Sequence, residues 1–236
     1  MTDLHEDKLA RLAALGAQTH SDVGEWAASC DLMVFAVKPQ GMKTALASLM
    51  PFLNPDGAAL TIAAGIEAAA YADWLNGYPL MRAMPNTPAM VGMGVSGLWI
   101  PAGISETAAN AARQVLAAAG KVVEVKTEAD IDLVGAIPGS GPAYVFRLWS
   151  FGKRPASNGG FLRSLRMRWR SVPFWALRYW LTNPEKLSPN FVKRYEQRRY
   201  DCQALEVMNN RDIDGMMDEA VNAALKRTAE MKALFR

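Results

Sequence analysis

The sequence has few of the residues that build disulfide frameworks and metal centres. Its 236 residues include two cysteines, Cys30 and Cys202, and two histidines, His5 and His20. Two cysteines so far apart in sequence form no disulfide framework, and this scarcity is typical of proteins in a reducing compartment. We therefore expect a cytoplasmic protein that has no histidine-rich metal site.

Long uninterrupted apolar stretches are also missing. Half of the chain is apolar, but no unbroken run reaches the roughly eighteen residues that a membrane-spanning helix needs. The N-terminal stretch MTDLHEDKLARL is polar and lacks the basic-then-apolar layout of a signal peptide. These absences predict a soluble protein that does not cross a membrane.

The chain has instead a regular alternation of short strands and helices. A continuous apolar run at 32–37 predicts a buried strand, and the segments 58–63, 80–84, 95–100 and 121–125 predict four more. Helices are predicted at 7–15, 22–29, 42–53 and 68–75, and from a cap at Ser105 to about residue 119. The fold class is therefore α/β, a mostly parallel sheet with helices on both faces.

Three successive strands end in small or kinked residues. The first ends in Ala36-Val37-Lys38-Pro39, the second in Ala63-Ala64-Gly65 and the third in Met84-Pro85-Asn86. Ligands of open α/β sheets bind beyond the carboxyl ends of the strands, where small residues let a flat ligand approach the backbone. Lys38 is long enough to reach a phosphate, although alone it would indicate only a solvated charge. Together the three ends favour a nucleotide cleft.

Two later segments are rich in proline or glycine. Pro85 and Pro88 disfavour helix at the preceding residues, so that Asn86 and Thr87 lie on a stiff, extended loop. The segment 138–146, PGSGPAYVF, is a turn of small residues that leads into an apolar helix start. Each segment has a plainer interpretation, as a proline-rich connection and as a tight link between helices. Residues 212–234 predict one amphipathic helix.

Charged residues are distributed unevenly along the chain. Residues 147–203 carry thirteen Lys or Arg and three Asp or Glu, a balance of +10, whereas the remainder has a balance of −7. Four of the seven tryptophans also fall in this stretch. Arginine and tryptophan together suit a nucleic-acid surface, but no nucleic-acid-binding motif is present, and we expect no nucleic-acid partner.

Five segments in order carry a resemblance to a known family: AVKPQ, TIAAGI, RAMPNTPAMVG, GSGPAYVF and ALEVMNNRDIDGMMDEAVNAALKR. Together they resemble pyrroline-5-carboxylate reductase over about residues 1–146 and 203–230. The resemblance implies a Rossmann domain for NADPH or NADH at 1–128, followed by an all-helical domain at 129–236 that forms homodimers or larger homo-oligomers. It also implies reduction of 1-pyrroline-5-carboxylate to L-proline, the last step of proline biosynthesis.

The resemblance also assigns site residues by position. It implies no catalytic acid or base, because the reaction depends on placing the hydride donor against the imine carbon, and no metal. The nucleotide would be lined by Ala36, Val37, Lys38, Pro39, Ile62, Ala63 and Ala64. The nicotinamide and substrate ring would lie beside Asn86, Thr87, Gly139, Ser140, Gly141 and Pro142.

The chain departs from the family pattern twice. No strand and G-x-G-x-x-G turn precede Asp31, so the chain begins at the second strand, near Thr2, and we expect it to lack a pyrophosphate anchor. The acidic or basic residue that would distinguish NADPH from NADH follows that missing unit; His5 and Lys8 lie near the place. The family's S-x-G-G-T-T loop, which holds the substrate carboxylate, is absent from 147–202.

A shift of reading frame would account for the second departure. Residues 193–201, KRYEQRRYD, can be encoded by AAACGTTACGAGCAAAGGCGGTACGAC. Read from its second base and followed by T, this gives Asn-Val-Thr-Ser-Lys-Gly-Gly-Thr-Thr, the missing loop. Our hypothesis is that much of 147–202 is translated out of frame, so we expect weak activity or none. Two alternatives stay open: a Rossmann reductase of hydroxy acids, and a non-catalytic basic binding protein.

Overall fold

The computed structural model describes residues 1–143 and 210–235. The stretch 147–202, with its proposed frame shift and the missing carboxylate loop, lies outside the described residues. So do the last residues of the GSGPAYVF segment, 144–146.

Five strands form one sheet, with the strands in the order of the chain. The strands are β1 (Leu32–Phe35), β2 (Ala58–Thr61), β3 (Leu80–Met84), β4 (Gly94–Trp99) and β5 (Gly120–Val125). Strands β1, β2 and β3 are parallel, β3 and β4 are antiparallel, and β4 and β5 are again parallel. The mostly parallel sheet is confirmed.

The first two strand predictions ran two residues too far at the carboxyl end, and the fourth ran one residue too far, because β4 ends at Trp99. The pairing of β1 with β2 stops at Phe35 and Thr61, so residues 36–37 and 62–63 belong to the loops that follow the strands. Thr2 forms only an isolated parallel bridge with His20, apart from the five strands of the sheet.

Helices connect the strands largely where the sequence predicts them. They are α1 (Glu6–Ala13), α2 (Pro39–Leu49), α3 (Ala68–Trp74), α4 (Glu106–Ala117), α5 (Asp130–Val134) and α6 (Ile213–Ala233). Shorter 3₁₀ turns cover Glu25–Ser29, Met50–Phe52 and Thr87–Val91, and a π-helical turn covers Gly135–Gly139.

The predicted helix at 22–29 is wrong, because only the five-residue 3₁₀ turn Glu25–Ser29 forms there. Helix α2 starts three residues earlier than predicted, with Pro39 in its first turn, where the missing N–H of proline costs no hydrogen bond. The predicted cap of α4 is confirmed, since Ser105 Oγ accepts the Ala108 N–H.

The sheet has a hydrophobic core on each face. Alternate residues of each strand point to opposite faces, so Ala59 packs with α2 and α3 while Leu60 packs against α4. The first core also contains Phe35, Met42, Leu46 and Tyr71, and the second Met81, Ala83, Leu98, Ala112 and Leu116. Helices on both faces are confirmed.

By compactness the chain divides into Met1–Pro142 with Asn222–Arg236, and Ala143–Val221. The division into domains at residue 128 stays a prediction. None of the helices in the described residues is long and apolar enough to cross a membrane.

Candidate active site

The loops after β1, β2 and β3 lie at one edge of the sheet, because the carboxyl ends of parallel neighbours point the same way. Ala36, Val37 and Lys38 are exposed in the first loop, and Pro39 begins α2. Half-buried Ile62, Ala63 and Ala64 form the second loop, where the Ile62 N–H donates to the Phe35 carbonyl at 3.2 Å. The residues predicted to line a nucleotide are therefore neighbours in space.

The loop after β2 is closed by a glycine that has no room for a side chain. Gly65 has a φ of +77°, and a Cβ added there would lie 2.7 Å from Cβ of Met231. This close contact brings the end of α6 against the loop of Ile62 to Ala64. Glycine is therefore needed here both for its backbone conformation and for its size.

A lysine from the same part of α6 fixes that contact. Lys232 Nζ lies 2.6 Å from Asp132 Oδ2 in α5 and 3.2 Å from Glu67 Oε1 in the loop before α3. Its side chain is only 12% exposed, and an ammonium so buried needs both carboxylates to offset its desolvation. The last turn of α6 thus joins the loop after β2 to the helix that precedes Gly139.

A second ion pair joins β3 to the residues around the first turn of α3. Arg82 in β3 is buried and bonds through Nη1 to Glu128 Oε1, which also accepts the Ala68 N–H at 2.6 Å. In the described part of the chain, Arg82 Nε is buried without a hydrogen-bond partner. This pair joins the central strand to the start of α3 and to the loop that follows β5.

A buried hydroxyl pair lies beside Arg82. Thr61, the register partner of Arg82, has its Oγ1 2.8 Å from the Tyr71 hydroxyl. Burial raises the pKa of Tyr71 above its ordinary value of 10.0, and the hydrogen bond to Thr61 and the charge of Arg82 oppose that shift. Tyr71 is therefore a neutral partner at physiological pH.

Asn86 joins the loop after β3 to the segment at 135–142. Its Nδ2 donates to the Pro138 carbonyl at 2.9 Å, and its Oδ1 accepts the Val95 N–H at 2.9 Å. The next residue, Thr87, is exposed and begins a 3₁₀ turn. The loop of Asn86 thus contacts Pro138, the residue directly before Gly139 to Pro142, the other residues predicted to flank the nicotinamide and the substrate.

The segment predicted as a small-residue turn is partly helical. The π-helical turn Gly135–Gly139 contains Pro138, and Ser140 Oγ donates to the Gly135 carbonyl at 3.2 Å. Residues 141–143 are helical, as the predicted helix start requires. Residues 139–142, which comprise Gly139, Ser140, Gly141 and Pro142, are all half-buried.

A cleft of about 740 Å³ opens at the first turns of α2 and α3. Among the predicted nucleotide residues only Pro39 lines it, and the end of the chain forms one wall. Its lining residues are Pro39, Gln40, Lys43, Glu67, Ala69, Ala70, Asp73, Trp74, Lys232, Leu234 and Phe235. No group of three or more acidic, histidine or cysteine side chains that could hold a metal ion occurs in residues 1–143 and 210–235.

Sequence reasoning missed the two ion pairs that tie these loops together. One signal was available, because Arg82 is a charge within the apolar run 80–84, and a charge in a buried strand requires a partner. Its partner lies 46 residues away. No pattern within the sequence pointed to Glu128, Asp132 or Lys232.

The sequence of this chain is similar to that of known enzymes. No protein-family profile matches it. The pyrroline-5-carboxylate reductase of Pseudomonas aeruginosa is 32% identical over 222 residues, 88% of this chain and 77% of that protein. The enzyme of the same name from Vibrio alginolyticus is 32% identical over 223 residues, 93% of this chain and 82% of that protein.

Solved structures give the same result for the fold. A pyrroline-5-carboxylate reductase from Coxiella burnetii superposes with a TM-score of 0.81 at 26% identity, over 98% of this chain and 87% of that one. The Plasmodium falciparum pyrroline carboxylate reductase with NADP bound gives 0.72 at 21% identity, over 98% and 96%. Both likenesses extend over nearly the whole chain.

Proposed function

The chain belongs to the pyrroline-5-carboxylate reductase family, and we propose that it reduces 1-pyrroline-5-carboxylate to L-proline. When bound, NADPH or NADH supplies the hydride, which adds to the C=N carbon while the ring nitrogen gains a proton. The remaining task of the protein is to bind both molecules and to hold them in a reactive arrangement.

The carboxyl edge of β1 and β2 fits a dinucleotide. Ala36, Val37 and Lys38 are exposed directly after β1, and Lys38 adds a positive charge. Helix α2 begins directly after them with no acidic residue in its first turn, and the amino end of a helix favours a phosphate. We assign Ala36 to Pro39 and Ile62 to Ala64 to cofactor binding.

The loop of Asn86 and Thr87 and the residues Gly139 to Pro142 are assigned to the nicotinamide and substrate end. The observation that carries this assignment is the bond between Asn86 and the Pro138 carbonyl. It joins Asn86 of the RAMPNTP segment to Pro138, the residue immediately before GSGPAY and 52 positions further along the chain. No acid or base is assigned, because these residues act by holding and orienting.

We propose a cytoplasmic homo-oligomer with a nucleotide-binding domain at 1–128 and a helical domain at 129–236. The reading-frame hypothesis for 147–202 stands with it. Together they predict that this chain reduces its substrate slowly, because the sequence of 147–202 does not contain the loop that holds the substrate carboxylate.

The test is a substrate panel with the purified full chain. Oxidation of NADPH and of NADH is followed with 1-pyrroline-5-carboxylate and, separately, with 2-oxo acids. A second chain carries Asn-Val-Thr-Ser-Lys-Gly-Gly-Thr-Thr in place of residues 193–201, so that loss of the loop is distinguished from lack of the activity.

We expect weak turnover of the pyrroline by the first chain and faster turnover by the second. Turnover of 2-oxo acids alone would identify a hydroxy-acid reductase. Salt-dependent binding to nucleic acid, with no nicotinamide nucleotide bound, would identify a basic binding protein. No pyrroline reduction by either chain would contradict the proposal.

A further inference from the structure

We propose that Asn86 is a positioning residue: its amide holds the loop after β3 against the segment at 135–142 and does not bind the substrate. The catalytic consequence rests on the proposed function, whereas the structural role does not. Two hydrogen bonds from one half-buried side chain carry this inference.

The first bond replaces a backbone bond of the sheet. Because Met84 pairs with Gly97 in the antiparallel register of β3 and β4, Asn86 lies opposite Val95. The Val95 N–H donates to the side-chain oxygen of Asn86, and the main-chain carbonyl of Asn86 accepts the Ala89 N–H at 3.0 Å instead. The side chain thus completes the pairing while the main chain turns away into Thr87–Val91.

The second bond extends from the opposite side of the same amide group. Nδ2 donates to the carbonyl of Pro138, a residue in the π-helical turn that immediately precedes Ser140. One end of this side chain must accept and the other must donate, which an amide does at any pH, whereas an ionised carboxylate of the same length only accepts. An aspartate in its place would keep the bond to Val95 and direct a negative oxygen at a carbonyl.

The two bonds fix the distance between Thr87 and the residues 139–142. If these groups flank the hydride donor and acceptor, a displacement of about 1 Å between them costs about a hundredfold in rate. A residue that acts in this way changes kcat more than KM. A residue that binds substrate equally in the ground state and the transition state changes KM instead.

The experiment separates the two bonds with two variants of the full chain, N86D and N86A. Hydrogen exchange is measured at the amide of Val95 and at the amide of Ser140, which donates to the Ile137 carbonyl. The matched control is N54A, because Asn54 Oδ1 also accepts a backbone N–H, from Asp56 at 3.1 Å, in the turn before β2 at the other edge of the sheet.

We expect N86D to speed exchange at Ser140 about fivefold or more and to leave Val95 protected, since loss of one hydrogen bond typically has an effect of this size. N86A should speed exchange at both amides, and N54A at neither. Unchanged exchange at Ser140 in N86D would overturn the proposal, whether or not the chain has reductase activity.

Kinetics provide the second readout. Both Asn86 variants should lower kcat for pyrroline reduction about ten- to a hundredfold, with a smaller change in KM. The N86D variant should recover relative to the parent as pH falls, because a protonated carboxyl can donate to Pro138. A raised KM with unchanged kcat in N86A would show substrate binding by Asn86 and refute the positioning role.

Discussion

The buried ion pair of Arg82 and Glu128 predicts a large loss of stability when the carboxylate is removed. The Arg82 side chain is 2% exposed and Glu128 is 27% exposed. In E128A the guanidinium stays in the sheet without a charged partner, and the Ala68 N–H loses its acceptor. Breaking a buried pair typically costs 3–5 kcal/mol.

The partial exposure of Glu128 sets the expected value at the low end of that range, about 3 kcal/mol. Urea unfolding measures it, and with a slope of about 2 kcal/mol per molar the midpoint should fall by about 1.5 M. The variant E128Q keeps an oxygen for Ala68 and should lose less. The double variant R82M/E128Q should recover most of the stability, because it contains no buried unpaired charge.

The control is an ion pair at the surface. Glu124 bonds to Arg113 at 2.8 Å, but its side chain is 51% exposed, and pairs of this kind contribute little to stability. The variant E124A should therefore leave the urea midpoint nearly unchanged. Equal losses in E124A and E128A would refute the reasoning, since burial would then have no effect.

Three further changes test separate features of the fold. Gly65→Ala should lower the free energy of unfolding by about 2 kcal/mol or more. Gly16→Ala should lower it less, because Gly16 has a similar φ of +88° but no neighbour within 4 Å, whereas Gly65 contacts Met231. Thermal unfolding of the two variants measures the difference. The free energy of unfolding should fall as pH rises from about 10 through the raised pKa of Tyr71, because the unfolded chain loses the tyrosine proton first. The fall should be less steep in Tyr71→Phe. Urea unfolding at each pH measures both. Ser105→Ala removes a helix cap and should cost about 1 kcal/mol by calorimetry.

The strands could be predicted because their signal is local. The run 80–84 is buried from Leu80 to Ala83 and forms β3 with the predicted bounds. The first two strands were drawn too long because apolar residues continue past the last paired positions, Phe35 and Thr61. Residues 36–37 and 62–63 are apolar although they are not in strands, and they lie in the loops at the candidate site.

The contacts that hold the candidate site could not be predicted, because they join distant parts of the chain. Lys232 and Asp132 are 100 residues apart, and Asn86 and Pro138 are 52 apart. Periodicity reports which face of one element is buried, but not which polar groups meet across elements. The motif residues were found in the sequence; their partners required the structure.

The most direct test of pyrroline reduction by this chain follows the hydride itself. The full chain and the chain with the restored nine-residue loop are incubated with 1-pyrroline-5-carboxylate and NADPH or NADH deuterated at the transferable position. Hydride transfer to the C=N carbon predicts L-proline with one deuterium on the ring carbon that bonds nitrogen and does not carry the carboxylate. The restored chain should form more of it. Absence of deuterated proline with both chains and both cofactors would contradict it.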